Sequence, residues 1–188
     1  MKSKNRVCPA EFAGALDFSL RKLIHNPKKI LRPYLCKGMT VLDFGCGPGF
    51  FSIEMAHQVG SSGKVVAADL QDGMLDKVRE KIRKKSLGNI IELHKCQKDG
   101  IGLSINPKKF DFVLLFYVLH EIPNQSSLLK EIKSLLKPDG RILIVEPKFH
   151  VSREDFCKTM ETVANLGFNV IEQPKIILSR SVIIRLGK

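Results

Sequence analysis

The chain has 188 residues, of which 44% are hydrophobic and 27% charged, and its 31 Lys and Arg against 19 Asp and Glu give a formal net charge of +12. That length can bury the core of one compact domain, and the composition is that of an ordinary soluble globular protein rather than a disordered or fibrous one. No apolar run approaches the roughly 20 residues of a membrane helix, and five scattered cysteines without a Cys-x-x-Cys pair argue against a disulfide framework or a zinc ribbon.

In chain order, residues 9–35 read as two short helices broken at Pro27, a cap ahead of a core over 36–188. The basic N-terminus has no apolar segment after it, since Glu11, Asp17 and Arg21 interrupt, so a cytoplasmic protein is expected. Met39–Phe44 is an apolar strand, followed by a glycine turn and a helix from Gly49 to Val59. Lys64–Asp69 is a second strand, and Asp72 can cap a helix running to Lys85 that ends near Gly88. Ile90–His94 and Phe110–Phe116 are the next strands, the latter apolar on both faces as a central parallel strand should be. Asn124–Leu136 is helical, and Lys137-Pro138-Asp139-Gly140 is a turn. Arg141–Glu146 is a strand, and Ser152–Leu166 a helix closed at Gly167. Val170–Leu178 and Ser181–Leu186 are too closely connected to be anything but antiparallel. The expectation is a single α/β domain with a Rossmann-like, doubly wound, seven-stranded sheet, mostly parallel and ending in an antiparallel edge hairpin. Its ligand should lie at the carboxyl ends of the early strands.

Those ends carry the informative residues. After Val41-Leu42-Asp43-Phe44 come Gly45, Cys46, Gly47, Pro48 and Gly49, a turn whose glycines allow close approach of the backbone to a ligand. A dinucleotide fingerprint would need glycine where Phe50 stands, and no Gly-Lys-Ser/Thr follows for a P-loop. Asp43 would repel a pyrophosphate but favour an ammonium or a sulfonium, and S-adenosylmethionine (SAM) carries both. Asp69 lies 20 residues beyond Gly49, where an acid accepts from the hydroxyls of an adenosine ribose. Leu70 and Met74 are placed to pack on adenine, and Asp99 with the backbone of Gly100 to meet its edge.

Together these residues resemble the class I SAM-dependent methyltransferases. Val41 to Gly49 looks like the first motif, Asp69-Leu70 the ribose position and Lys98-Asp99-Gly100 the adenine loop. Phe110-Asp111-Phe112-Val113 through Leu119-His120-Glu121 resembles the fourth-strand motif, and Leu136 to Arg141 the turn before the fifth strand. The likeness covers residues 35–188 and is closest to the ubiquinone/menaquinone-biosynthesis-like branch of small-molecule methyltransferases. It implies a cofactor site of Asp43, Gly45, Cys46, Gly47, Gly49, Asp69, Leu70, Met74, Asp99, Gly100 and Phe116, with S-adenosylhomocysteine as product. A general base, where the acceptor must lose a proton, would be Tyr117, His120 or Glu121. His120-Glu121 does not continue into a zinc motif, because Asn124 stands where the second histidine would be.

Absences narrow the acceptor. Leu115-Phe116-Tyr117-Val118 lacks the Pro-Pro signature of nucleobase amino methyltransferases, the Pro-Cys pair of cytosine enzymes is missing, and no Trp offers a stacking platform. A small-molecule acceptor therefore leads, with the cap over it. Convergence of Cys36, Cys96 and Cys157 would instead suggest arsenite methylation. Residues 1–40 hold nine Lys and Arg against two acids, and Lys77, Arg79, Lys81, Arg83, Lys84 and Lys85 share one helix. This charge is either a solvated face or an attraction to an anionic partner, which keeps an anionic acceptor, RNA or protein methylation, and a non-catalytic SAM-binding module as rivals.

Overall fold

The computed structural model describes residues 24–97, 100–103 and 109–187. Helix α1 (Pro27–Leu31) starts with Pro27, whose missing N–H is one no helix start uses, and Asn26 caps it by accepting from Lys29 N. The part of the expected cap before residue 24 lies outside the described residues. There follow β1 (Thr40–Phe44), α2 (Phe50–Val59), β2 (Lys64–Asp69), α3 (Asp72–Lys84), β3 (Ile91–Lys95), β4 (Phe110–Phe116) and a single 3₁₀ turn, Leu119–Glu121. The chain then forms α4 (Gln125–Leu135), β5 (Leu136–Pro147), α5 (Arg153–Asn165), β6 (Phe168–Glu172) and β7 (Ser179–Leu186).

The seven strands form one sheet in the order β3-β2-β1-β4-β5-β7-β6. Strands β1 to β5 are mutually parallel, and β7 is antiparallel to both of its neighbours. This meets the expected fold class with one correction: the reversed strand is not at the edge. β7 lies inside the sheet, while β6 holds the edge and runs with the majority. The reason is burial, since β7 has four successive buried residues and β6 only Phe168. Residues 173–178, expected to extend the first hairpin strand, form no strand.

Alternation along the parallel strands builds a core on each side of the sheet. Val41, Phe112, Leu114 and Phe116 pack with α1, α2 and α3 through Leu31, Met55 and Val78. Leu42, Phe44, Val113 and Leu115 pack with α4 and α5 through Leu128, Ile132 and Val163. Two local expectations also shift. Gln71, not Asp72, occupies the cap position of α3, and Asp72 instead pairs with Lys95 at 2.6 Å. The Lys137 to Gly140 turn is a bulge within β5, whose pairing passes from Phe110–Leu136 directly to Phe112–Arg141. Lys137 Nζ there donates to Asp111 at 2.8 Å, and Asp111 Oδ2 also accepts from Thr40 N, tying the starts of β1, β4 and β5 together.

Candidate active site

Strand β1 leads directly into the glycine turn. Gly45, Gly47 and Gly49 have φ of +71°, +53° and +80°, the left-handed region that other residues enter at a cost. A Cβ on Gly45 would come within 2.5 Å of Val118, whereas a Cβ on Gly47 would meet no atom within 4 Å. Gly45 is thus required by packing, and Gly47 leaves open space at the carboxyl end of the sheet. Asp43 is 2% exposed and its Oδ2 accepts from Ser52 Oγ, on the first turn of α2, at 2.5 Å.

Asp69, 8% exposed, ends β2 beside this turn. Its Oδ2 accepts from Gly47 N and its Oδ1 from Gln71 N, each at 2.9 Å. Burial raises its pKa, against the pull of the Gln71, Gly47 and Leu70 N–H groups and the charge of Lys95. Leu70 is 38% exposed and Met74 is buried on the first turn of α3.

The loop after β3 runs beside the same corner, its Cys96 N donating to Asp69 O at 2.9 Å. Asp99 lies outside the described residues. Gly100 passes Glu131 of α4 so closely that a Cβ would lie 2.5 Å from Oε2. The two Glu131 oxygens accept from Ile101 N at 2.9 Å and Gly102 N at 2.7 Å, and His94 Nε2 donates to Ile101 O at 2.7 Å. Ile101 itself is fully buried.

A second group gathers past β4 and β5. Phe116 is buried and touches the rings of Phe51, Tyr117 and His25 at 4.4, 4.6 and 5.3 Å. Tyr117 has a φ of +60°, uncommon for an aromatic residue and a mark of local strain. Its hydroxyl lies 2.7 Å from Ser179 Oγ and 3.1 Å from His25 Nε2. Ser179 Oγ donates to Ile177 O, so the Tyr117 O–H donates to Ser179. Tyr117 thereby joins the segment before α1 to the start of β7.

The Leu119–Glu121 turn carries His120 and Glu121 and is a separate element from α4, which Asn124 caps and whose Gln125 Nε2 donates to Leu119 O at 3.1 Å. His120 Nδ1 is paired with Glu146 Oε2 of β5, and Glu146 Oε1 accepts from Leu119 N at 3.0 Å. The Glu146 side chain is 2% exposed and that of His120 25%. Burial lowers the His120 pKa, but the hydrogen bond and charge of Glu146, with the charge of Glu121, leave it raised overall. His150 stacks on His120 at 6.0 Å, and Phe149, 67% exposed, lies next to it.

The described cysteines do not offer a thiol site. Cys46 and Cys96 are buried, Cys36 and Cys157 exposed, and no three His, Cys, Asp or Glu among the described residues are grouped to hold a metal ion. Burial, then the charges of Asp43 and Asp69, push the Cys46 thiol far up; burial, then Asp69 and Glu131, push Cys96 to about 12. Both are protonated at neutral pH and act as small apolar fillers.

Sequence reasoning brought Asp69, the glycine turn, Tyr117 and His120 to one end of the sheet, where the structure has them. It missed Glu146, His25, Ser179, His150 and Glu131. A signal existed only for Glu146, an acid ending an otherwise apolar strand at the same level as His120.

The methyltransferase domain family model matches residues 35–178. The chain is similar to the demethylmenaquinone methyltransferase of Lactobacillus johnsonii, 36% identical over 140 residues, which is 71% of this chain and 57% of that protein. It is similar also to the ubiquinone/menaquinone biosynthesis C-methyltransferase of Haemophilus ducreyi, 34% identical over 140 residues, 74% of this chain and 51% of that protein. The chain spans about half the length of the curated relatives it matches. Among solved structures, a SAM-dependent methyltransferase from Aquifex aeolicus superposes with a TM-score of 0.84 at 27% identity, covering 96% of this chain and all of that one. The chain belongs to the methyltransferase domain family, the family its motifs resemble.

Proposed function

We propose that the protein transfers a methyl group from SAM to a small-molecule acceptor. The observation that carries this reading is the Asp69 carboxylate, buried beside an open glycine turn, its oxygens accepting from Gly47 N and Gln71 N with the Leu70 N–H also drawing on it. A carboxylate has about four acceptor positions, so Asp69 keeps room for a hydroxyl, which is what a ribose offers. The absence of side-chain atoms at Gly47 leaves space for the rest of an adenosyl group, and Leu70 and Met74 give it an apolar wall. These features fit SAM.

SAM, when bound, supplies an already activated methyl group on a sulfonium. The chain's own residues have the remaining work. Asp69 fixes the ribose, the glycine turn admits the ligand to the strand ends, and Phe51, Phe116 and Tyr117 form an aromatic wall that excludes water. Holding nucleophile and methyl in line can supply about 7–11 kcal/mol of the barrier. Tyr117, His120 and Glu121 are the candidates for moving a proton on the acceptor. The names of the curated relatives support an acceptor with a quinone-type ring. The four described cysteines are all free, which fits a cytoplasmic, reducing setting.

Calorimetric titration with SAM, S-adenosylhomocysteine and NADH tests the reading. Binding of both sulfur ligands but not NADH, lost in Asp69→Ala, is the expected result. Absence of binding to either sulfur ligand would sink it.

A further inference from the structure

We propose that the cleft between α1, α2 and α3 is a binding site for an organic phosphate, separate from the cofactor site. The cleft has a volume of about 360 Å³ and lies between the start of α1, one face of α2 and the C-terminal half of α3. Spacing sets the α2 face: Phe50, Ile53, Glu54 and His57 stand three and four residues apart, so they share one side of the helix. α3 is drawn against the same end of α2 at Gly49, where a Cβ would come within 3.1 Å of Val78. Close to one helical turn beyond Val78, Lys81 Nζ donates to Pro48 O at 2.6 Å. The cleft touches the glycine turn at Gly49 but includes neither Gly47, Asp69, Leu70 nor Met74.

Two properties of the cleft select its ligand. Its floor is apolar, with Phe50 buried and Pro27 and Ile53 half-buried. Its rim is cationic: among the described residues it carries Lys28, Lys81 and Lys85, with His57 as a further ring donor, against Glu54 alone. Glu54 Oε1 already accepts from Gln58 Nε2 at 2.9 Å. The acids of α3 are engaged elsewhere, Asp72 with Lys95, Asp76 with Arg79 and Glu80 with Lys84. Like charges facing one another across a cleft repel, and an anion between them relieves the repulsion. The bond to Pro48 O fixes the Lys81 ammonium in advance, so less freedom is lost when an anion arrives. The donors come from three helices around one floor rather than along a line. That arrangement fits a compact phosphate group, not the extended backbone of a nucleic acid. An organic phosphate meets both properties, its carbon part on the floor and its oxygens among the lysines.

The test is an NMR titration of the full chain at low ionic strength, with phenyl phosphate, inorganic phosphate and phenol as probes. Phenyl phosphate should shift the amides of Lys28, Ile53, His57 and Lys85, and should bind at least about fivefold more tightly than either part alone. Lys28→Gln and Lys85→Gln, both at exposed positions, should each weaken it about fivefold. Lys130→Gln removes the same charge from α4, on the opposite side of the sheet, and should leave the affinity unchanged. Saturating S-adenosylhomocysteine should not displace the probe. Absence of phenyl phosphate binding would overturn the proposal and leave a solvated basic surface. An equal loss in Lys130→Gln would overturn it by reducing the effect to net charge. Displacement by S-adenosylhomocysteine would overturn it by placing the phosphate in the cofactor site. An oligouridylate that bound through Lys28 and Lys85 where phenyl phosphate did not would overturn it in favour of a nucleic-acid surface.

Discussion

Gly47 N donates to Asp69 Oδ2 at 2.9 Å across 22 residues, so the turn after β1 and the end of β2 form a single structural unit. The bond holds a buried carboxylate in place before any ligand arrives. Burial raises the Asp69 pKa in the folded protein. Stability from such a group is fully present below the unfolded carboxylate pKa and is lost as pH rises through the folded value. Urea melts of the ligand-free protein at increasing pH should therefore show the wild type losing stability relative to Asp69→Asn across that window. Parallel pH profiles for the two proteins would contradict it.

Two neighbouring glycines should separate folding from binding. Gly45→Ala forces a Cβ to 2.5 Å from Val118 at a φ of +71°. Left-handed strain of ~1–2 kcal/mol adds to overpacking of ~1–3 kcal/mol, and thermal melts should show a clear loss. Gly47→Ala carries only the backbone strain, since its Cβ meets no atom within 4 Å. It should lose less stability than Gly45→Ala in the same melts and should lose affinity for S-adenosylhomocysteine in calorimetry.

Glu131 clamps the loop after β3 by accepting from Ile101 N and Gly102 N. Glu131→Ala leaves those N–H groups without their carboxylate, and bonds to a charged group contribute about 1.5–3 kcal/mol each. S-adenosylhomocysteine affinity should fall, and so should that of 5′-methylthioadenosine, which shares the adenine. Gly100→Ala places a Cβ 2.5 Å from Glu131 Oε2 and should weaken binding through the same contact. The double variant should then lose less than the sum of the two single losses; strict additivity would refute the coupling.

The Asp43–Ser52 bond joins β1 to the first turn of α2 in a site where both residues are nearly sealed from solvent. Ser52→Ala removes a donor from a buried carboxylate, at a cost of about 1–3 kcal/mol. Urea denaturation should read this as a lower midpoint at unchanged slope, and Ser52→Thr should recover most of it.

The boundaries of β2 and β4 agree with the sequence expectation to the residue, because continuous apolar runs flanked by polar or turn residues are local signals. The glycine turn was equally legible, since its spacing within five residues reports backbone conformation directly. The hairpin was less so. That two antiparallel strands close the chain follows from their short connection, but which of them sits inside depends on how much apolar surface each offers to β5.

Local patterns determined the α/β alternation, the turn that admits a ligand and the acid at the end of β2, since each is written within a few consecutive residues. Tertiary structure alone decided what stands around them. Glu146 reaches His120 across 26 residues, Glu131 reaches Ile101 across 30, and Tyr117 meets Ser179 across 62 and His25 across 92. No periodicity links such distant positions; they meet because the parallel sheet brings the carboxyl ends of β3, β4 and β5 to one edge, and β7, running the other way, starts there.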